Sequence, residues 1–303
     1  MTTAPLTVYK GHGTENDFVI VEDLDGEIEL STACVRALCD RRAGIGADGV
    51  LRVVRTRALA GAPGYPAATP GAEYFMDYRN ADGSVAEMCG NGARVFVRYL
   101  LDRGLVALDG LSIATRAGVV AVGGPAAGEP DDWITVTLGA AGWLDAAPQV
   151  HAPGLSGPRP AVAVSMPNPH VVVFVDESEL DALDLTRPPS VGPPLPHGQN
   201  VEFVARRASG LRMRVHERGV GETRSCGTGI AAAAVAAAAT TGPDTAAGAS
   251  RPVGGDGRPW PVEVPGGVCV ARWQPDGHVQ LSGPAVIVGQ VVLDPGWLAG
   301  ACP

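Results

Sequence analysis

Short alternations of apolar and polar residues, broken by glycine, proline and aspartate, run through most of the chain. LTVYK, FVIVE, VLRVV, AVAVS, HVVVFV, LRMRVHE, VEVPGGVCVARW and HVQLSG carry β-branched residues in runs of strand length, with turn residues at hairpin spacing. They predict short strands. Helical patterns are few. STACVRALCDRR places apolar residues three and four apart around Cys34 and Cys39. Gly92 to Leu101 reads as a second helix, with Arg94 and Arg98 giving it one wetter edge. Ile230 to Thr241 has no charged residue on any face. A helix that is apolar all round is buried all round, and its alanines make it slim and strongly helical. The pattern predicts a slim helix held inside a curved sheet.

The pattern also repeats. Cys89 opens CGNGARVFVRYL and Cys226 opens CGTGIAAAAVAAAA, each a Cys-Gly-x-Gly loop running into a helical stretch. Asn80 stands nine residues before the first cysteine and Glu217 nine before the second. Asn16, in NDFVI, matches Asn168, in NPHVVVFV, and Gly49, in GADGV, matches Asn200, in GQNVEFV. The offset is 152 at Asn16, 151 at Gly49 and 137 at both Asn80 and Cys89. An Ala/Gly/Pro-rich insertion from Arg57 to Gly71 accounts for the drop. The expected fold is therefore α+β, with two pseudo-symmetric domains, each a curved, mostly antiparallel sheet wrapped around a central helix. The expected domains are residues 1–137 with 284–303, and residues 138–283. PAVIVGQVVL then reads as a strand returning to the first domain. Gly242 to Gly257 is low in complexity and reads as a surface loop.

Composition narrows the chemistry. A chain of 303 residues favours two domains. A net charge of −9 argues against a nucleic-acid surface. No apolar run is long enough to span a bilayer, and no export signal is visible, so the sequence reads as cytoplasmic. Lys10 is the only lysine beside 22 arginines. Pyridoxal phosphate enzymes need a Schiff-base lysine, and Lys10 lies in no such motif. No cofactor and no metal are expected. The six cysteines include no C-x-x-C pair. Cys34, Cys39 and Cys269 read as core residues, Cys302 as part of a frayed end, and none as a disulfide partner.

Cys89 and Cys226 stand apart. A cysteine at a helix N-terminus has its thiolate stabilised by the dipole and by unpaired N–H groups. The Gly-x-Gly that follows lets backbone amides approach an anion, naturally a carboxylate. Two such loops facing each other would leave one sulfur on each side of an α-carbon. One thiolate could take the α-proton while the opposite thiol delivers another, inverting the centre without a cofactor. A single loop of this kind reads more readily as a tight turn, and two reactive cysteines also admit redox chemistry. The duplication favours proton transfer, because packing does not require the same loop twice.

Five blocks, KGHGTENDF, GIGADGV, NADGSVAEMCGNGAR, NPH and HERGVGETRSCGTG, occur in the order found in diaminopimelate epimerases, and the chain resembles that family from residue 10 to about 230. The resemblance implies that LL- and meso-diaminopimelate are interconverted, without a cofactor, by Cys89 as proton donor and Cys226 as acceptor in one direction. It implies that Gly90, Asn91, Gly227 and Thr228 cradle the α-carboxylate. Asn16, Asn80, Asn168, Asn200, Glu217 and Arg218 would bind substrate, and His170 and Glu217 would tune the thiols. It further implies a homodimer. Without the resemblance, His170 reads as a turn residue. The chain departs from some family members in having Gly49 where they have glutamine, so any contact there would be through backbone. Two alternatives stay open: a racemase of the same fold acting on another amino acid or hydroxyproline, and a non-catalytic amino-acid-binding protein. The first would have no use for Arg218, and the second would not need both thiols.

Overall fold

The computed structural model describes residues 5–66, 69–166, 168–240 and 251–302. Among them are five α-helices, α1 (Thr32–Cys39), α2 (Gly90–Asp102), α3 (Glu177–Ala182), α4 (Gly227–Ala239) and α5 (Pro295–Ala301), and nineteen strands, an α+β fold. Of the low-complexity segment Gly242 to Gly257, residues 242–250 lie outside the described residues. No helix of the described residues is long and apolar enough to cross a membrane. The chain divides into two compact units, Met1–Val136 with Pro284–Pro303, and Thr137–Gly283.

In the first unit the strand Val286–Val292 pairs antiparallel with Thr7–Gly13, which pairs antiparallel with Asn16–Glu22. Asn16–Glu22 runs parallel to Gly49–Arg55, which pairs antiparallel with Tyr74–Asn80. That strand in turn is parallel to Ser112–Thr115, which forms a hairpin with Gly118–Gly123. α2 packs against the first five of these strands. The second unit repeats the order of senses. Arg159–Ser165 pairs antiparallel with Pro169–Phe174, which runs parallel to Asn200–Arg207. Gly210–Glu217 follows antiparallel, Pro259–Val264 parallel, then Gly267–Trp273 and His278–Gly283 antiparallel. α4 packs against all seven. Its residues Ile230 to Ala237 are fully buried, as the absence of any charged face requires.

Two expectations need correcting. Arg94 does not form a wet edge of α2. It is fully buried, and its guanidinium donates to Gly90 O, Asn91 Oδ1 and Pro284 O. A charged group is tolerated inside when its donors are met this way. Cys34 and Cys302 are not a plain core residue and a frayed end: a disulfide joins them, with Cα atoms 4.3 Å apart. The reason is α5, too short to leave a periodic signature. Asp294 caps it by accepting from Trp297 N, and Pro295 opens it. Trp297, Leu298 and Cys302 then pack on the cluster that contains Cys34. Cys39 matches its reading, with burial pushing its thiol up to about 12, far from ionisation at neutral pH.

Candidate active site

Both cysteines cap helices with their own sulfur. Cys89 has extended backbone, φ −143° and ψ 122°, and its Sγ accepts from Gly92 N at 3.4 Å. Cys226 does the same at φ −123° and ψ 111°, its Sγ accepting from Gly229 N at 3.4 Å. An N–H aimed at sulfur stabilises thiolate more than thiol. In the first unit the strand Asn16–Glu22 brings an amide side chain to this loop.

In the first unit Asn16 follows a two-residue hairpin turn whose central residues, Thr14 and Glu15, both have positive φ, 50° and 61°. Such turns normally use asparagine and glycine, so the strain is held in place by the surrounding sheet. Asn16 Oδ1 accepts from the Cys89 thiol at 3.7 Å and from Asn91 Nδ2 at 3.3 Å. Its Nδ2 donates to Asp48 Oδ2 at 2.8 Å. Arg41 bridges Asp48 and Asp17, 2.7 Å from each, and Lys10 completes the chain 2.5 Å from Asp17. Burial alone would raise the Asp17 carboxyl, but hydrogen bonds from Arg41 and Lys10 hold it well below the usual carboxylate range. The single lysine of the chain is thus committed to an ion pair. Asn80 donates to Ser84 Oγ at 3.0 Å. At Gly49 a Cβ would meet Arg79 O at 2.5 Å and Tyr78 Cε2 at 2.7 Å. The departure to glycine at this position therefore matches a close approach of backbone, and a glutamine would need its neighbours to move.

In the second unit Cys226 Sγ lies 3.6 Å from Thr228 Oγ1, and the Glu217 carboxyl is close enough to act on it electrostatically. Glu217 accepts from Thr223 Oγ1 at 2.5 Å. Burial raises the Cys226 thiol well above its ordinary value; Glu217 and Glu202 add to this, and the Thr228 hydroxyl and Gly229 amide oppose it. Burial likewise raises Glu217. Asn200 Oδ1 accepts from Arg218 N at 2.9 Å, and the Arg218 guanidinium donates to His197 O at 2.6 Å. His170 is not a turn residue but a fully buried strand residue. Its Nε2 lies 3.0 Å from Asn168 Oδ1 and its Nδ1 2.7 Å from Glu202 Oε1.

Each unit therefore gathers part of its expected set at its own cysteine, Asn16 and Asn91 at Cys89 and Glu217 and Thr228 at Cys226, while Asn168 and His170 join Glu202, and Asn80, Asn200 and Arg218 take other partners. Glu202 escapes sequence reasoning. It sits in NVEFV, an otherwise apolar strand, and the one signal is a charge where the pattern asks for a hydrophobe. Asp48 and Arg41 are missed because loops carry many such charges. Among the described residues no three His, Cys, Asp or Glu side chains are grouped to hold a metal ion.

The model of the family described as diaminopimelate epimerase matches residues 8–144 and 162–288. A diaminopimelate epimerase from Streptomyces coelicolor is 50% identical over 295 residues, covering 96% of each chain. One from Thermobifida fusca is 50% identical over 288 residues, covering 93% of this chain and 95% of its own. Among solved structures, a hydroxyproline epimerase from Agrobacterium vitis superposes with a TM-score of 0.64 at 16% identity, covering 98% of this chain and 95% of its own. A PhzF-family phenazine biosynthesis protein from Bacillus anthracis also gives 0.64 at 16% identity, covering 96% of this chain and all of its own. These two are likenesses of fold.

Proposed function

Because the chain belongs to the diaminopimelate epimerase family, we propose that this isomerase interconverts LL- and meso-2,6-diaminopimelate in lysine biosynthesis by a two-thiol exchange of protons. The observation that carries this reading is the duplicated cap: two cysteines, each at a helix N-terminus, each with a backbone N–H on its sulfur. One sulfur, as thiolate, takes the α-proton, so a C–H bond breaks and an S–H bond forms. The other sulfur gives up its proton to the opposite face of the carbanion and becomes the thiolate. Reversal exchanges the roles of Cys89 and Cys226. The reading needs no pyridoxal phosphate, and Lys10, held by Asp17, is not a free amine.

The carbanion is stabilised as its α-carboxylate gathers charge, which the amides of the Gly90–Asn91 and Gly227–Thr228 loops receive. Asn16, Asn80, Asn168 and Asn200 supply neutral amides that serve both ammonium and carboxylate groups. Glu217 and Arg218 bind substrate, Arg218 by the distal carboxylate, and His170 and Glu217 adjust the Cys226 thiol. In this reading the epimerase domains are residues 1–137 with 284–303, and residues 138–283. Purified protein incubated with LL-diaminopimelate in deuterated water should place one deuterium at the α-carbon of the meso product. No deuterium at that carbon would sink the proposal.

The reading also includes a cytoplasmic homodimer. The strand Val286–Val292 pairs along one edge with Thr7–Gly13, while Val286, Val288 and Val292 are 43%, 63% and 59% exposed. Exposed valines on a terminal strand of a sheet form a template for a second copy. Sedimentation should give twice the chain mass for the wild type and the single chain mass for Val288→Asp. A wild-type protein that sediments as one chain at micromolar concentration would refute the dimer.

A further inference from the structure

The two cysteine loops rest on different floors. A Cβ placed at Gly92 would meet Leu51 Cδ2 at 3.3 Å and Phe18 Cζ at 3.5 Å. At Gly229, its counterpart, a Cβ would meet Glu202 Oε1 at 2.8 Å. Phe18 is the register partner of Gly49 as His170 is of Asn200, so His170 replaces Phe18 and Glu202 replaces Leu51. Two apolar side chains lie beneath the first loop. A histidine and a glutamate, both fully buried, lie beneath the second. The neighbours of Glu202 in its strand, Val201, Phe203 and Val204, are core residues, so packing alone would take a leucine there as well. Among the described residues Glu202 Oε2 has no hydrogen-bond partner. A buried carboxylate with one oxygen unmet is costly, and such a cost persists where a site uses it.

Nε2 of His170 faces a carbonyl oxygen, Asn168 Oδ1, and so carries hydrogen. The 2.7 Å contact from Nδ1 to Glu202 Oε1 requires a second proton, on one atom or the other. As imidazolium with carboxylate, the pair puts its negative end, Glu202 Oε1, under Gly229 of the second loop.

We propose that Glu202 is a positioning residue for Cys226: it fixes His170 beneath the second loop and gives that loop a negative pole which the first loop lacks. The inference rests on the reading of Cys226 as one of the two proton-transferring thiols. Of the strands packed on α4, three bring ionisable groups to this place: Pro169–Phe174 with His170, Asn200–Arg207 with Glu202, and Gly210–Glu217 with Glu217. Gly267–Trp273 adds the buried thiol of Cys269. Arg159, Glu263 and His278, on the remaining strands, are paired with Glu179, Arg207 and Asp276. A negative pole under Cys226 keeps it a thiol until substrate arrives, and makes the two sulfurs chemically unequal at rest.

The test labels full-length protein with iodoacetamide across a pH series and reads Cys89 and Cys226 separately by peptide mass. Glu202→Gln keeps the shape and can still hydrogen-bond to Nδ1, but removes the charge. Its Cys226 should be half-labelled at a pH lower by about one unit, because loss of a nearby negative charge favours thiolate. Cys89 should not move and serves as the internal control. Glu202→Leu, which copies the floor of the first loop, should lower kcat by about tenfold or more while KM stays within about twofold. A Glu202→Gln protein whose Cys226 labels like wild type, or whose Cys89 shifts equally, overturns the inference. Cys226→Ser separates the two failures. If that variant turns over like wild type, the two-thiol reading itself is wrong. If it is inactive while Glu202→Gln labels and turns over as wild type does, only the role of Glu202 falls.

Discussion

Serine in place of either Cys89 or Cys226 should lower kcat by about a thousandfold or more in both directions of the reaction. The α-proton of an amino acid is very weakly acidic, so the group that removes it must be largely ionised when substrate is bound. A serine hydroxyl is too weak an acid to supply that anion. Each sulfur serves as base in one direction and acid in the other, so neither direction survives the loss of one. The substitution is also a clean probe of chemistry. Both cysteines are helix N-caps that accept a backbone N–H, and serine is among the best residues in that position. The helices should start as before, and thermal unfolding should stay within a few degrees of wild type. Epimerisation assayed beside circular dichroism decides the matter: wild-type turnover by either single variant would exclude the two-thiol mechanism.

Arg218→Met should lower kcat/KM for diaminopimelate roughly ten- to 150-fold, the equivalent of a charge-assisted hydrogen bond of about 1.5–3 kcal/mol. Methionine keeps much of the stem and loses only the fork. The arm is steered from both ends. Its backbone N–H donates to Asn200 Oδ1, and Gly198, at φ +71°, lets the chain pass so close that a Cβ there would lie 3.0 Å from Arg218 Cδ. The guanidinium donates to His197 O, a bond that a carboxylate can displace. Steady-state kinetics with diaminopimelate and with a monocarboxylate amino acid measure this. An unchanged kcat/KM for diaminopimelate would mean that the distal carboxylate is not held here.

The sequence pattern marks the strands whose faces alternate cleanly and the helix that is apolar all round. It does not mark strands that bury charge. Tyr74–Asn80 reads as YFMDYRN, which breaks the alternation at Asp77, yet Asp77 is fully buried because Arg116, Arg79 and Arg52 surround it. Glu202 is missed for the same reason: His170, a partner 32 residues away, decides whether its charge can be inside. Arg94 is misjudged because a local partner, Asn91 Oδ1, and a distant one, Pro284 O, together meet its donors. The Cys34–Cys302 bond was hidden because it spans 268 residues and depends on α5, a helix of seven. The cysteine loops were legible because the same string occurs twice in the same order. A repeat carries information that no single loop carries. The asymmetry between the repeats, Phe18 and Leu51 against His170 and Glu202, becomes visible only once strand register aligns them.

The pairing of Val286–Val292 with Thr7–Gly13 has a consequence for how the protein is made. The unit Thr137–Gly283 is one uninterrupted stretch, while the other unit is split around it. A ribosome delivers residues 137–283 before the strand that completes the earlier sheet. Throughout that interval the Thr7–Gly13 edge has no outer neighbour, and an open edge is a template for the wrong strand. The later-made unit is therefore placed to reach its native state first. The time needed to synthesise it sets how long nascent chains stay vulnerable to one another on a polysome.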